Sequence, residues 1–389
     1  MLRSMYSGIS GMKNFQTKLD VIGNNIANVN TYGFKKGRVT FKDTMNQTIS
    51  GASTAQNNRG GKNPMQVGLG STLATVDTIH TQSSLQTTGR SLDLAISGDG
   101  YFVVKQGNAQ FYTRAGNFYL DEQGTLVNGD GYKIQSYNNG VLQDIKVDVN
   151  SILPARQTTS ITIDGNFPTE VSGNTEQLQQ LKVVDGDGVE HTVEMKLTNI
   201  SGNVWEMTLQ DRSLSSPQPQ VVRFDTSSKT FTPANFTLAV EGGSVPLTFN
   251  SGNVTTTGSN LNALFSPDGS TQGSIESFSI GQMGEISGVF SNGKVEQLGT
   301  IALAKFSNSS GLSKVGNNLF QDSVNSGTAN IGTPGDGFGT IASGALEMSN
   351  VDLSEEFTEM ITAQRGFQAN TRIITTSDEI LQELVNLKR

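Results

Sequence analysis

Residues 353–389 read LSEEFTEMITAQRGFQANTRIITTSDEILQELVNLKR. Taking every third or fourth position from Leu353 to Val385 gives ten residues, of which seven are apolar. An apolar repeat of about 3.5 residues places the side chains along one seam of an α-helix. Asp352 is suited to cap the first turn, and Glu355 follows it at capping-box spacing. The pattern predicts a C-terminal helix whose seam contains Leu353, Phe357, Met360, Phe367, Ile374, Leu381 and Val385.

The N-terminal residues carry a similar repeat. Apolar residues recur at intervals of four, three, four and three, at Phe15, Leu19, Ile22, Ile26 and Val29. This repeat predicts a second helix within residues 1–30. Two such amphipathic helices either pack on the body of their own chain or bury their seams against other copies of it. The periodicity alone favours neither alternative.

The sequence between the two helices is typical of β-structure. Glycine contributes 44 of the 389 residues, hydrophobic residues contribute 34% and charged residues 16%. This composition indicates short strands joined by turns. Residues 92–97 alternate in polarity and turn at 97–100 (SGDG) into the apolar run 101–104, and residues 191–209 alternate on either side of a turn at 201–202. Each pattern predicts an antiparallel hairpin.

These patterns together predict a mainly β protein. We expect two nested β domains, each sandwich- or barrel-like, with N- and C-terminal α-helices that form a coiled-coil-like inner domain. The predicted boundaries are 1–30 and 353–389 for the inner helical domain, 31–70 for an extended connector, 71–148 and 280–352 for the first β domain, and 149–279 for an inserted outer β domain.

Composition excludes several classes of function. The net charge is −8 and no basic run is present, so nucleic acid is not an expected partner. The chain has no Cys, and neither His80 nor His191 has an evident ligand or catalytic partner nearby in sequence. We therefore predict no catalytic residue, no cofactor and no metal site. The run 185–188 (DGDG) resembles the start of a calcium loop, but Val189 and Glu190 occupy positions that need an oxygen ligand and a glycine, which favours a simple turn.

The sequence also lacks features of membrane insertion and secretion. No apolar run reaches about 18 residues, so we expect no membrane span. The N-terminal residues lack the apolar stretch of about 7–15 residues that a secretory signal peptide requires.

Several short runs resemble the signatures of one protein family. The runs are 19–28 (LDVIGNNIAN), 31–35 (TYGFK), 97–102 (SGDGYF), 113–118 (TRAGNF), 344–353 (GALEMSNVDL) and 363–370 (AQRGFQAN). In this order they closely resemble the bacterial flagellar rod and hook protein family. The signature positions that we single out are Asn24, Asn25, Asn28, Gly33, Phe34, Gly98, Asp99, Gly100, Gln364, Arg365 and Asn370.

The resemblance implies a structural subunit and not an enzyme. Members of this family assemble with copies of themselves into an open helical tube. The partners implied are the flagellar rod, the hook cap, the hook–filament junction proteins and the type III export apparatus. The implied location is the extracellular part of the flagellum, reached without a cleaved signal peptide.

The insert at 149–279 is the feature that distinguishes hook from rod subunits in this interpretation. Rod subunits of the family are typically shorter, so the insert favours the hook subunit, which transmits torque from rod to filament while it bends. A distal rod subunit is the alternative within the family. A β-rich surface adhesin or glycan-active protein is a remote alternative that the insert suggests.

Overall fold

The chain forms two compact units. The computed structural model describes residues 2–54, 60–138, 140–148, 152–168, 176–211, 214, 219–241, 243–256 and 261–387. Unit 1 comprises Met1–Val147, Ser279–Ile286 and Gln297–Arg389, and unit 2 comprises Asp148–Phe278 and Ser287–Glu296. Some residues of the predicted domains lie outside the described residues, among them residues 1, 149–151 and 388–389.

The two predicted terminal helices are confirmed. Helix α1 spans Leu2–Ala27 and helix α2 spans Leu353–Asn386, with a short 3₁₀ turn at Ser309–Gly311. The carboxylate of Asp352 accepts a hydrogen bond from the backbone N–H of Ser354 at 2.8 Å, which confirms the predicted N-cap. Among the described residues, no helix is long and apolar enough to cross a membrane.

The rest of the described chain is mainly β, as predicted. The strands before unit 2 are β1 (Gly37–Asp43), β2 (Asn46–Ser50), β3 (Met65–Gly68), β4 (Ser71–Thr78), β5 (Leu85–Thr87), β6 (Leu94–Ser97), β7 (Tyr101–Gln106), β8 (Ala109–Thr113), β9 (Phe118–Leu120), β10 (Leu126–Asn128), β11 (Lys133–Asn138) and β12 (Val141–Asp144). The next strands are β13 (Ile152–Leu153), β14 (Ser160–Asn166), β15 (Glu176–Val184), β16 (Glu190–Ser201), β17 (Val204–Asp211), β18 (Gln220–Asp225), β19 (Thr230–Thr232), β20 (Asn235–Val240), β21 (Gly243–Thr255), β22 (Asn262–Pro267), β23 (Gly273–Ile280), β24 (Glu285–Phe290) and β25 (Val295–Thr300). The last strands are β26 (Leu303–Lys305), β27 (Ser313–Gly316), β28 (Leu319–Gln321), β29 (Asn330–Gly332), β30 (Thr340–Ser343) and β31 (Ala345–Glu347).

The main sheet of unit 1 is built around β7. Its order is β27-β28-β8-β7-β11-β10-β9, with β12 on β11 and β26 between β7 and β29. All four residues 101–104 of β7 are buried, because the strand is covered on both faces. The rings of Tyr101, Tyr112, Phe306 and Phe320 gather on one face of this sheet.

The hairpin predicted at residues 92–104 is wrong, although both of its strands exist. Strand β6 pairs with β30 and strand β7 pairs with β8. Gly98 and Gly100 between them have φ angles of +104° and +143°, which residues with a side chain rarely adopt. The turn therefore sends the chain from one sheet into another.

The segment 31–70, predicted as an extended connector, contains three of the strands. Strand β1 pairs with β4, with Val39 opposite Val76, and strand β2 pairs with β3, with Gln47 opposite Val67. Both ribbons are antiparallel.

Unit 2 has the two-layer core of a β-sandwich. One sheet has the order β15-β16-β17-β18-β19 and the other the order β20-β21-β14-β22. Side chains from both sheets share one apolar core, with Trp205 and Phe167 fully buried in it. The hairpin predicted at 191–209 is confirmed, because β16 pairs with β17 with Leu197 opposite Met207.

Candidate assembly site: the terminal helices and their anchor

Helices α1 and α2 lie antiparallel against each other within unit 1, and we call them the helix pair. Phe15 of α1 packs on Gly366 of α2, where an added Cβ would lie 2.6 Å from the tip of the Phe15 ring. One turn further along α1, Lys18 pairs with Glu359 at 3.2 Å. The absence of a side chain at Gly366 therefore permits the close approach of the two helices.

The predicted seam residues at the N-terminus are all buried or half-buried. Ile22 is buried, and Phe15, Leu19, Ile26 and Val29 are half-buried. Val29 follows the last residue of α1, so it lies beyond the helix in which it was predicted.

The predicted seam of α2 divides into two sets. Met360, Phe367, Ile374 and Leu381 are half-buried. Leu353, Phe357 and Val385 are exposed, at 40%, 49% and 67%. The least exposed stripe of α2 instead runs through Glu356, Met360, Ala363, Phe367, Asn370, Ile374, Ser377 and Leu381.

Four of the seven predicted seam residues, Met360, Phe367, Ile374 and Leu381, thus lie on this stripe, and Phe357 lies one position from Glu356. The other members of the stripe are polar (Glu356, Asn370 and Ser377) or small (Ala363), so an apolar repeat does not identify them. Leu353, Phe357 and Val385 have no such burial within the chain, and their part in assembly stays a prediction.

Two glycines allow a direct test of the packing of the helix pair. We expect Gly366→Ala to destabilise the helix pair relative to Gly23→Ala by about 1–2 kcal/mol, because the new methyl group overlaps the Phe15 ring. Gly23→Ala is the matched control: nothing lies within 4 Å of its added Cβ, so the higher helix propensity of Ala should stabilise α1. Amide exchange of α1 measures both effects, and equal changes in the two variants would contradict the observed packing.

A buried ion cluster lies where the helix pair joins the β-strands of unit 1. The Nζ of Lys35 donates to Oε1 of Glu347 at 2.7 Å, and Nη1 of Arg114 donates to its Oε2 at 3.0 Å. The side chains of Lys35 and Glu347 are fully buried, and that of Arg114 is 4% exposed. We call these three residues the anchor cluster. Two cations therefore depend on one carboxylate in a site without water access.

Further hydrogen bonds hold the members of the anchor cluster in place. Lys35 also donates to the carbonyl of Thr81 at 2.8 Å, and Arg114 donates to the carbonyl of Gly98 at 2.7 Å. Burial lowers the pKa of Lys35, and the ion pair with Glu347 opposes that shift. The cluster therefore ties together three segments, the outer two of which are 312 residues apart in sequence.

Several signature positions surround this cluster. The N–H of Gly33 donates to the carbonyl of Glu347 at 2.8 Å. Its φ is +69°, and an added Cβ would lie 2.5 Å from the backbone N of Ala115, so only glycine fits. Phe34 is buried, with the ammonium of Lys314 5.1 Å from its ring centre.

Asn25 connects three elements. Its Oδ1 accepts from the N–H of Gly37 at 2.9 Å, and its Nδ2 donates to the carbonyl of Gly37 at 2.9 Å. The same Nδ2 lies 3.2 Å from each carboxylate oxygen of Glu356 in α2. The Nδ2 of Asn28, which directly follows α1, donates to Oδ1 of the exposed Asn24 at 3.0 Å. This bond stabilises the C-terminal end of α1.

The other signature positions are more dispersed. Asp99 is paired with Lys305 at 3.4 Å near the surface. Gln364 and Arg365 are exposed on α2 and are not brought to the anchor cluster. Asn370 is half-buried and donates to the carbonyl of Gly366 at 2.9 Å, beside Gly11 of α1.

Both histidines have partners in the structure. His80 shares a 2.7 Å hydrogen bond with the hydroxyl of Tyr101, and burial lowers the pKa of His80 to about 4. His191 lies 3.1 Å from a carboxylate oxygen of Asp185. The other oxygen of Asp185 accepts from the N–H groups of Asp187 and Val189, which confirms the interpretation of 185–188 as a turn. In the described part of the chain, no three His, Asp or Glu side chains form a group that could hold a metal ion.

Comparison with known proteins identifies the family. Residues 5–35 match the family model described as flagella basal body rod protein, residues 95–197 that of the flagellar hook protein FlgE/F/G D1 domain, and residues 342–387 that of the flagellar basal body rod FlgEFG protein C-terminal region. The whole chain is 43% identical to the whole of a Bacillus subtilis protein named flagellar basal-body rod protein FlgG. It is 40% identical to the whole of a Borreliella burgdorferi protein named flagellar hook protein FlgE.

The chain belongs to the flagellar hook and rod protein family. A solved structure supports the same fold: the Helicobacter pylori flagellar hook protein FlgE2 matches with a TM-score of 0.53 at 16% identity, over 68% of this chain and all of that one. Each family model contains one member of the anchor cluster, with Lys35, Arg114 and Glu347 in the first, second and third matched regions. The three matched regions of this hook and rod family chain therefore meet at one buried site.

These three residues lie within the family runs of the sequence, but they were not predicted as site residues. A usable signal was present, because Lys35 follows an aromatic residue and Glu347 stands between Leu346 and Met348. A charged residue in an apolar run is unusual unless it has a buried partner. The partner itself lies too far away in sequence for that signal to name it.

Proposed function

We propose that the chain is the structural subunit of the flagellar hook, which self-assembles into a flexible helical tube and transmits torque from rod to filament. Membership of the hook and rod family supports this proposal, and so does the Borreliella burgdorferi relative with a hook name. The proposal is for a structural and not a catalytic role, at the extracellular side of the flagellum.

One structural observation carries the assembly part of the proposal. Helix α2 keeps large apolar side chains exposed on one face in the single chain, with Leu353 at 40%, Phe357 at 49% and Ile361 at 53% at four-residue spacing. A row of exposed apolar residues on a helix indicates a surface that another molecule covers. Head-to-tail contacts that do not close into a ring would place further copies of the chain on it and generate an open tube.

The rod subunit remains a second candidate for a specific reason. The Bacillus subtilis relative that carries a rod name matches the whole chain over its own whole length, so the inserted segment does not by itself separate hook from rod subunits. No observation in the described residues favours a surface adhesin or a glycan-active protein.

Assembly of the purified protein tests the proposal. We expect electron microscopy to show hollow tubes that are curved and change curvature with pH, salt or temperature. Straight tubes that are insensitive to these conditions would favour the rod subunit. A protein that stays monomeric at high concentration, even with short tube fragments as seeds, would contradict both.

The further partners in this proposal are the rod, the hook cap, the hook–filament junction proteins and the type III export apparatus. Export without a cleaved signal peptide is part of the same proposal. Mass spectrometry of tubes isolated from cells tests it, because an uncleaved subunit should retain its N-terminal residues.

A further inference from the structure

A group of charged side chains surrounds the first turns of α2. Three glutamates of that helix, Glu355, Glu356 and Glu359, line a cavity of about 140 Å³ that α1 and the segment 36–39 also line. Glu355 pairs with Lys36 at 2.7 Å, and Glu359 pairs with Lys18 at 3.2 Å. Arg38 also lines the cavity, but it lies 3.5 Å from Asp77 of β4 and is 61% exposed.

Glu356 differs from the two glutamates beside it. It is 4% exposed, whereas Glu355 and Glu359 reach solvent. Among the hydrogen bonds of the described residues, its carboxylate accepts from Asn25, at 3.2 Å to each oxygen. No Lys or Arg side chain of the described residues lies within 4 Å of it. Its negative charge is therefore buried with an amide as its direct partner.

The surroundings of Glu356 favour its protonated form. Burial raises the pKa of Glu356, the Asn25 hydrogen bond and Lys36 lower it, and the charges of Glu359 and Glu355 raise it, with a net upward shift. The positive end of α2 also favours the charged form. Because the folded pKa lies above the unfolded value of 4.5, the folded state gains stability as the pH falls toward 4.5.

We propose that Glu356 acts as a proton-operated latch, which tightens the docking of α2 on α1 and on the segment 36–39 as the pH falls from neutral to mildly acidic. Protonation removes the buried charge, while one carboxyl oxygen still accepts from Asn25. This latch is independent of whether the chain serves in a hook or a rod.

Amide exchange of the monomer tests the latch, with Glu356→Gln as the variant. Glutamine keeps the shape and the acceptor for Asn25 but carries no charge. At pH 7 we expect the last turns of α1, residues 18–27, to exchange about threefold more slowly in the variant than in the unmodified chain. At pH 4.5 the difference should shrink to less than about twofold after correction for intrinsic exchange.

Two controls isolate the effect. As the pH falls from 7 toward 4.5, His80 is protonated in the unfolded chain but not in the folded chain, where burial lowers its pKa to about 4, and this difference destabilises unit 1. Both chains contain His80, so its effect cancels in their ratio. Glu379→Gln, at an exposed position of α2, should leave the exchange rates unchanged at both pH values.

Equal exchange rates of Glu356→Gln and the unmodified chain at pH 7 would overturn the proposal. A titration of ¹³C-labelled glutamate carboxyls in the unmodified protein gives a second measurement that needs no variant. It should show a midpoint for Glu356 above 4.5, and a midpoint at or below that value would overturn the latch as well.

Discussion

Replacing Glu347 by glutamine is expected to lower the free energy of unfolding of unit 1 by about 3–5 kcal/mol. The variant keeps the size of the side chain but removes the one carboxylate that Lys35 and Arg114 share. Both cations then remain buried without a counter-charge, and neither reaches water without opening the structure. Amide exchange of β7 and β8 measures the loss, because both strands lie in the main sheet of unit 1.

The same experiment has internal controls. Trp205 is the single tryptophan of the chain and is fully buried in unit 2, so its fluorescence follows that unit separately. Glu122→Gln removes an exposed carboxylate from unit 1 and should change stability by less than about 0.5 kcal/mol.

A triple variant separates the cost of unpaired charge from the value of the cluster itself. Replacing Lys35 and Arg114 by Met together with Glu347 by Leu leaves no charge to compensate. We expect it to recover much of the stability that Glu347→Gln loses, because apolar replacements of a buried ion cluster are often close to neutral. If Glu347→Gln is as stable as the unmodified chain, the anchor cluster does not hold unit 1 together.

Local patterns predicted those parts of the fold that depend on neighbouring residues. The helix repeat, the Asp352 cap and the 191–209 hairpin each follow from residues within a few positions of one another. The 92–104 segment shows where this approach stops. Its turn residues Gly98 and Gly100 specify the path of the backbone, but they do not say which strand β7 will pair with.

The candidate site was harder to predict than the fold for a related reason. The stripe of α2 that faces α1 alternates large apolar residues with small or polar ones, namely Glu356, Ala363, Asn370 and Ser377. Small side chains allow the two helices to approach closely. A polar side chain lies in such a contact only where it has a hydrogen-bonding partner. Asn25 supplies the partner of Glu356 across 331 residues of sequence. A pairing over that distance is a property of the folded chain and not of any local pattern.

Replacing Phe357 by aspartate is expected to abolish tube formation while leaving the single chain folded. Phe357 is 49% exposed, so the helix pair does not depend on burying it. If a neighbouring copy covers it in the tube, the aspartate places an unpaired charge in an apolar contact at every subunit. A penalty of about 3 kcal/mol raises the concentration needed for assembly about 100-fold. Sedimentation and electron microscopy of the assembled protein measure this loss.

The same position supplies the matched control. Phe357→Leu stays apolar and should still form tubes, so the comparison with Phe357→Asp isolates the effect of the charge. Leu381→Asp tests a second seam residue, which is half-buried in the single chain and should also loosen the helix pair. Amide exchange of α2 in the monomer distinguishes the two effects: Phe357→Asp should leave it unchanged, because an exposed residue contributes little to packing within the chain. Tubes formed by Phe357→Asp at the normal yield would remove Phe357 from the assembly seam and leave that seam to the half-buried stripe of α2.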